Sequence, residues 1–438
     1  MKNTGKLISQ ELLIVMMLLI AFLIGCTKEP EFTDPADIVV TRNLKINTAS
    51  TYQTIAGFGG ANQMWGTQFP SDADIRKTYS LEEDGLGFSL FRVRIPSDRN
   101  EWSLIVDVAK EAQSYGAKIL ASPWSPPPAL KSNSDAVGGY LLPENYGAFV
   151  DHLNDYLSFM TENGVEIYAV SVQNEPDIQV GYESCDWSAT DMRDFIREYG
   201  NQINAKLAAP ESFNFNQSFS DAILNDEEAA TNVDIVAGHI YGNGQNAYPK
   251  AEDMGKEIWM TEYLMNLNTG NAGATAWADR SDEDKWDETF EMVETIHTAM
   301  TNNWNAYIWW YLKRYYSFIG DGTEGTVEGE ILKRGYAFSH FSQFIRPGYV
   351  RVETEFNSTF GLQITAYAGD GKTVLVILNQ GESQISNINL IVDEVVASKA
   401  TVYTTSFTRN REKTEVERAD EKLLIDSSPG SITSVIIE

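Results

Sequence analysis

Cysteine is nearly missing from this chain of 438 residues: Cys26 and Cys185 are the two it has, too few for a disulfide framework. Cations are also scarce. The 33 Lys and Arg stand against 62 Asp and Glu, a formal net charge of −29 at pH 7. That balance argues against binding nucleic acid or an anionic lipid surface through charge alone. No cluster has metal-ligand spacing, and neither a phosphate loop nor a dinucleotide fingerprint occurs, so no cofactor is expected. No unit of about 20–50 residues recurs, which argues against a solenoid or propeller.

Long apolar runs are missing too, with one exception. Leu12 to Ile24 reads LLIVMMLLIAFLI. It falls short of the ~20 residues of a membrane span. Placed after Lys2 and Lys6, it suits the apolar region of a signal peptide. It ends in Leu23-Ile24-Gly25-Cys26, which resembles a bacterial lipobox. Residues 1–26 are therefore read as a lipoprotein signal peptide, with Cys26 as the lipidation site. Residues 27–37, TKEPEFTDPAD, are polar, acidic and proline-bearing. Such a stretch cannot bury enough apolar surface to order itself, so it reads as a tether. Acidic residues directly after the cysteine resemble the surface-export signal of Bacteroidetes lipoproteins. The expectation is an exported lipoprotein at the outer-membrane surface, touching the membrane through its lipid alone. Cys185, in YESCDWS, is left as a lone structural thiol.

What the chain does have is alternation of short apolar runs with longer helical stretches. Eight candidate strands are Ile55–Gly59, Phe88–Ile95, Lys118–Pro123, Ile167–Gln173, Phe213–Gln217, Ile235–Tyr241, Glu257–Thr261 and Ala306–Tyr311. Candidate helices between them include Trp102–Tyr115, Tyr146–Asn163, Ala189–Leu207 and Asp282–Asn302. In Tyr146–Asn163, Phe149, Leu153, Tyr156, Leu157 and Met160 recur at helical spacing. Buried strands alternating with helices imply an α/β fold with a parallel sheet inside. Eight units across residues 49–346 fit a (β/α)8 TIM barrel. After Arg346-Pro347-Gly348 the helices stop. Alternating runs separated by turns follow: Tyr349–Phe356, Gly361–Tyr367, Thr373–Leu378, Ile385–Val392, Ala400–Thr404, Lys422–Ile425 and Ser431–Ile437. Residues 347–438 therefore read as a side antiparallel β-sandwich. Ile38–Ile46 also alternates, so residues 38–48 are expected to supply that domain with an N-terminal strand.

Two glutamates sit just past strand-like runs: Glu175 in IYAVSVQNEPD and Glu262 in KEIWMTEY. The C-terminal end of a barrel strand is where this architecture places catalytic groups. Two carboxyl groups there suit a retaining glycosidase, in which one is a proton donor and the other a nucleophile. Glu175 is assigned as acid/base and Glu262 as nucleophile. Asn174 is placed to hold a sugar 2-hydroxyl. Arg92, in LFRVRI, and Tyr241, in GHIY, are candidates for holding Glu262 ionised and aimed; a salt bridge stitching barrel strands is the other reading for Arg92. His239 is read as a core histidine. Trp124, before the rigid Pro126-Pro127-Pro128 loop, is a candidate sugar floor. Trp309 and Trp310 are candidate walls, one facing inward and one outward because strand neighbours alternate. The chain has 10 Trp, 20 Tyr and 20 Phe, some of which a saccharide cleft would use. Lys313-Arg314 at this rim of so acidic a chain suggests an anionic group on the substrate, since arginine grips a carboxylate through two parallel bonds. A solvated rim pair is the competing reading.

The stretches GFGGANQ, SLFRVRI, ASPWSPPPALK, VSVQNEPD, GHIYG, IWMTEY, IWWYLKR and ILKRGYAFSHFSQFIRPGYVR occur in that order. Together they resemble glycoside hydrolase family 30, and within it the bacterial glucuronoxylanases. The resemblance implies a barrel fused to a β domain made from both chain ends. It implies retaining hydrolysis with Glu175 as donor and Glu262 as nucleophile. It implies that Arg314, four residues after Trp310, grips a glucuronate branch and directs cleavage of a β-1,4-xylan backbone. Lys313 and the long acidic loop from Tyr315 to Glu330 depart from the pattern. The expected partner is xylan polymer or oligosaccharide, and the protein is read as a monomer. A β-glucosidase or β-1,6-glucanase of the same family, or a non-catalytic glycan-binding lipoprotein, are the alternatives.

Overall fold

The computed structural model describes residues 41–438, except 67, 266–274 and 358–360. The expected signal peptide, Cys26, the tether and positions 38–40 lie outside the described residues. No helix among the described residues is long and apolar enough to cross a membrane.

A first strand, β1 (Arg42–Thr54), precedes eight parallel strands that close into a barrel. These are β2 (Gly57–Ala61), β3 (Leu90–Ile95), β4 (Lys118–Pro123), β5 (Ile167–Ser171), β6 (Lys206–Ser212), β7 (Ile235–His239), β8 (Glu257–Glu262) and β9 (Ala306–Tyr311). Pairing of β2 with β9 closes the ring. Strand neighbours alternate between two cores. Leu90, Leu120, Ala169, Ala208, Ala237, Trp259 and Ile308 fill the barrel. Phe91, Val93, Ile119, Ala121 and Val170 face the helices outside. The interior alanines leave room for Trp259, which stacks on Tyr168 at 6.0 Å. Gly59 explains part of GFGGANQ, because a Cβ there would lie 2.0 Å from the Leu90 carbonyl oxygen.

Helices Tyr146–Glu162 and Asp282–Thr301 fall where helical periodicity puts them. The fifth barrel strand does not. It was expected at Phe213–Gln217 and is Lys206–Ser212, KLAAPES. The expected helix Ala189–Leu207 ends at Tyr199. Alanine and an internal proline are weak strand signals, so tertiary pairing with β5 and β7 overrides local preference there. Phe213–Gln217 instead turns into the helix Gln217–Leu224, with Phe215 at φ +43°.

The remaining strands are β10 (Val350–Glu355), β11 (Leu362–Gly369), β12 (Lys372–Asn379), β13 (Ile385–Val392), β14 (Val395–Val396), β15 (Lys399–Ser406), β16 (Glu412–Glu417), β17 (Leu424–Ser427) and β18 (Ser431–Ile437). With β1 they form one ten-stranded sheet in the order β14-β13-β1-β10-β11-β12-β18-β15-β16, with β17 on β13. The strand from the N-terminal side does join the C-terminal strands, as expected. The sheet is mixed, however, because β1 runs antiparallel to β10 but parallel to β13. Alternation reveals a strand but not the direction of its neighbours. The sheet curls around one core holding Leu44, Ile46, Val352, Leu375, Ile388, Val402 and Val435. Buried His340 joins it to the barrel: from the helix Lys333–Ser342, its ring nitrogens bond Ser434 Oγ and Thr405 Oγ1, each at 2.7 Å.

Leu44 is fully buried between strands of distant sequence. Leu44→Ala should lower unfolding stability by about 2–5 kcal/mol in urea titration. A loss below about 1 kcal/mol would show that β1 is not integral to the sheet.

Candidate active site

The C-terminal ends of the barrel strands bring together polar and charged groups from six of them. Glu262 ends β8 and His239 ends β7. Arg92 lies in β3, Ser122 in β4 and Glu211 in β6. Asn174 and Glu175 follow β5. All seven are buried. Arg92 alternates with Phe91 and Val93, so it points into the barrel while they point out.

Arg92 is the hub. Its Nη1 donates to Glu262 Oε2 at 2.6 Å and its Nη2 to Asn174 Oδ1 at 2.6 Å. Nη2 also lies 2.9 Å from Glu211 Oε1, and Nε donates to Ser122 Oγ at 3.3 Å. The guanidinium sits over the Trp124 ring at 4.8 Å. The Tyr241 hydroxyl donates to the other oxygen of Glu262 at 2.7 Å. Glu175 has different partners. Its Oε1 is 3.0 Å from His239 Nδ1, and its Oε2 accepts from the Tyr182 hydroxyl at 3.0 Å. One atom each of Glu175, His239 and Glu262 lie within 4.8 Å of one another. A cation could bridge three such atoms, but the Arg92 guanidinium already occupies Glu262 Oε2. A second positive charge there is disfavoured.

The backbone is strained where the acids sit. Glu175 has φ +48° and Glu211 φ +59°, conformations that cost non-glycine residues about 1–3 kcal/mol each. Bonds from Asn174 N–H to the Pro123 carbonyl and from Glu175 N–H to the Glu211 carbonyl hold the loop between β4 and β6.

Burial pushes the Glu211 carboxyl up, but Arg92 and His239 more than offset this and hold it down at about 2. Burial pushes His239 down, yet Glu262, Glu175 and Glu211 surround it and raise it to about 9. Glu262 ends above the ordinary glutamate value. Burial raises it, His239 and Arg92 oppose this, and the Glu175 charge adds to the rise.

Glu175 and Glu262 open into a pocket of about 620 Å³. Trp65, Trp124, Tyr182, Phe213, Tyr241, Leu264 and Trp310 line it with Glu175 and Glu262. Aromatic walls around two carboxyl groups suit a sugar, whose ring faces are apolar and whose edges are polar. A cleft of about 780 Å³ near Lys77, Asp84 and Tyr336 is roomier, but it contains neither member of the carboxyl pair. A family model described as the glycosyl hydrolase family 30 TIM-barrel domain matches residues 67–314. The glucuronoxylanase XynC of Bacillus subtilis strain 168 is 36% identical over 385 residues, 85% of this chain and 86% of its own length.

The chain belongs to glycosyl hydrolase family 30.

It is thus a glycoside hydrolase. Its fold also matches the subfamily 8 xylanase Xyn30A of Clostridium acetobutylicum, with a TM-score of 0.79 and 30% identity over 90% of this chain and 99% of that one. A more distant relative, putative glucosylceramidase 1 of Caenorhabditis elegans, is 24% identical over 429 residues, 82% of this chain and 80% of its own.

For this family 30 chain the structure gathers Glu175, Glu262, Arg92, Asn174, Tyr241, Trp124 and Trp310 at one site. It leaves Trp309 out. That ring is fully buried on the outer side of β9, against Tyr263 and Phe318. It cannot touch substrate there. His239 is not a core histidine, because its neighbours are three carboxylates. The motif GHIY offered a signal, since the residue two before Tyr241 points the same way on a strand. Arg314 is about one-third exposed and lies outside the pocket lining, with Nη1 3.7 Å from Asp321 Oδ2. Lys313 is held by Asp74 at 2.8 Å and Glu328 at 3.2 Å. Cys185 is buried, which pushes its thiol up to about 12.

Sequence reasoning missed Glu211, Tyr182, Phe213, Leu264 and Trp65. Glu211 was hidden by misplacement of β6. Trp65 is positioned by Glu183, which accepts from its Nε1 at 3.1 Å and lies 3.4 Å from Arg94 Nε, contacts no local pattern announces.

The four histidines should separate sharply. His152 and His297 are lowered by burial to about 4 and His340 to about 3, while His239 is raised to about 9. At pH 7, His239 should therefore carry protons on both nitrogens, losing one only as pH passes about 9. Nitrogen-15 NMR of the rings will check this. A neutral His239 at pH 7 would overturn the charge balance described.

Proposed function

We propose that the protein is a retaining endo-β-1,4-xylanase that acts on glucuronoxylan, with the cleavage point set by a glucuronate branch held by Arg314. The observation that carries this is the close pair Glu175 and Glu262, their nearest described oxygens within 4.8 Å. Retaining glycosidases hold their carboxyl groups about 5–5.5 Å apart, and inverting ones leave room for a water between them. The likeness to a glucuronoxylanase and to a xylanase supports the choice of polymer.

In this mechanism Glu175 gives its proton to the glycosidic oxygen as that bond breaks. The Glu262 carboxylate attacks the anomeric carbon and forms a glycosyl-enzyme ester. Glu175, now ionised, takes a proton from water, which attacks the same carbon and frees Glu262. Arg92 and Tyr241 donate to Glu262 and favour its charged form. Asn174 accepts from Arg92 through Oδ1, which leaves its amide NH2 as the donor for a sugar 2-hydroxyl. Trp124, Trp65 and Trp310 offer ring faces. The pair Lys313 and Arg314 reduces to Arg314 as the branch contact, since two carboxylates hold Lys313.

The same reading includes export as a monomeric lipoprotein, with residues 1–26 as signal, Cys26 as anchor and residues 27–37 as tether. Cys26→Ala should move the protein from the membrane to the soluble fraction and stop incorporation of labelled palmitate. Membrane retention without Cys26 would refute the anchor.

Product analysis on glucuronoxylan tests the activity. Aldouronic oligosaccharides of defined length are expected, and Glu262→Gln should give none. Glu175→Gln should lower kcat by about 10²–10⁴. Intact polymer after incubation would leave a glycan-binding role. Arg314→Ala should cut kcat/KM on glucuronoxylan by about 10- to 150-fold, the worth of a charge-assisted bond. Equal losses on neutral xylan would remove the branch from the reading.

A further inference from the structure

The loop from Tyr315 to Glu330 is not used by the mechanism, yet it is built with care around Arg314. Arg314 N–H bonds the Ile319 carbonyl at 3.0 Å. Gly320 N–H bonds the Glu330 carbonyl at 2.9 Å, and Gly329 N–H bonds the Gly320 carbonyl at 2.8 Å. These bonds return the loop on itself and bring Asp321 beside the guanidinium, Oδ2 to Nη1 at 3.7 Å. Asp321 is only 12% exposed, against 36% for Arg314. It is also not free to swing away. Its Oδ1 accepts from Thr323 N–H at 3.1 Å and from the Thr323 hydroxyl at 2.7 Å. The other oxygen is thereby left aimed at Arg314.

The surroundings connect this pair to the chemistry. Burial raises the Tyr311 hydroxyl to about 12; Glu262 adds to the rise while Arg314 and Arg92 oppose it. Tyr311 ends β9, just before Arg314 in the chain. Its ring stacks on the pocket residue Trp310 at 4.3 Å.

We propose that Asp321 is a specificity-determining residue, an internal carboxylate that competes with the substrate's branch for Arg314. The proposal rests on the reading of Arg314 as the branch contact. A guanidinium can face two carboxylates, but the second anion meets the charge of the first. Branch binding is then weakened in proportion to the worth of the internal pair. Partly exposed pairs of this kind are worth little, equivalent to about a two- to five-fold change in binding. The loop would thus tune branch dependence downward without abolishing it, leaving unbranched stretches of polymer as usable substrate.

The test uses the full protein and three variants, Asp321→Asn, Arg314→Ala and the double variant. Asparagine is isosteric and can keep the Thr323 bonds. Each is assayed for kcat/KM on glucuronoxylan and on unbranched xylo-oligosaccharide. Asp321→Asn should raise the branched-to-unbranched ratio about two- to five-fold through KM, with unbranched activity unchanged. In the Arg314→Ala background the rise should vanish. A ratio that stays level or falls in Asp321→Asn, while Arg314→Ala lowers it, would overturn competition and show that Asp321 only orients the arginine. If Arg314→Ala leaves the ratio unchanged, the branch reading itself fails and takes this proposal with it. Urea titration of both single variants excludes misfolding as the cause.

Discussion

A full positive charge buried inside the barrel is the constraint on which the site depends. Removing a guanidinium from water costs several kcal/mol unless its donors and charge are answered. Arg92 is answered by Glu262, Glu211, Asn174 and Ser122, and by the face of Trp124. These groups come from β4, the loop after β5, β6 and β8. One side chain in β3 therefore fixes how the other strand ends meet. Removing a partner would leave a charge uncompensated in the interior, which is why such networks resist piecemeal change.

The same hub gives the three acids different surroundings. Three carboxyl groups face two cations, Arg92 and protonated His239. Glu211 is held down at about 2 and keeps its charge. It balances one of the two cations. Glu175 and Glu262 differ in their partners. Glu262 meets a guanidinium and a phenol. Glu175 meets an imidazolium and a phenol nearer the pocket mouth. The left-handed backbone at Glu175 and Glu211 shows that this arrangement is held against local preference, by bonds to Pro123 and between the two residues themselves.

The side sheet serves the barrel through packing. β1 leads into the barrel at Thr54 and β10 leaves it at Val350, and these two residues pair, so the two connections between sheet and barrel lie side by side. His340 stays neutral because burial lowers it to about 3, and two hydroxyls take up its ring nitrogens. The result is a polar but uncharged joint between helix and sheet.

The eight-fold alternation, the change of pattern after Arg346 and the two glutamates past strand ends were legible in the chain, because period and position along a strand are local properties. β4, β9, β13 and β18 fall at the expected residues for this reason. β6 was not legible, since KLAAPES lacks strand character and becomes a strand only between β5 and β7. Local order also fails to say which charges meet. Glu211 and His239 look like ordinary core residues until the barrel closes and sets Glu211 against Arg92 and His239 among three carboxylates. Trp309 and Trp310 are alike in sequence, and the facing of β9 alone sends one into the helix layer and the other into the pocket. The chain by itself determined the architecture and which two glutamates stand at the strand ends of the pocket. Only the closed barrel decided their partners and charge balance, because those depend on distances between residues remote in sequence.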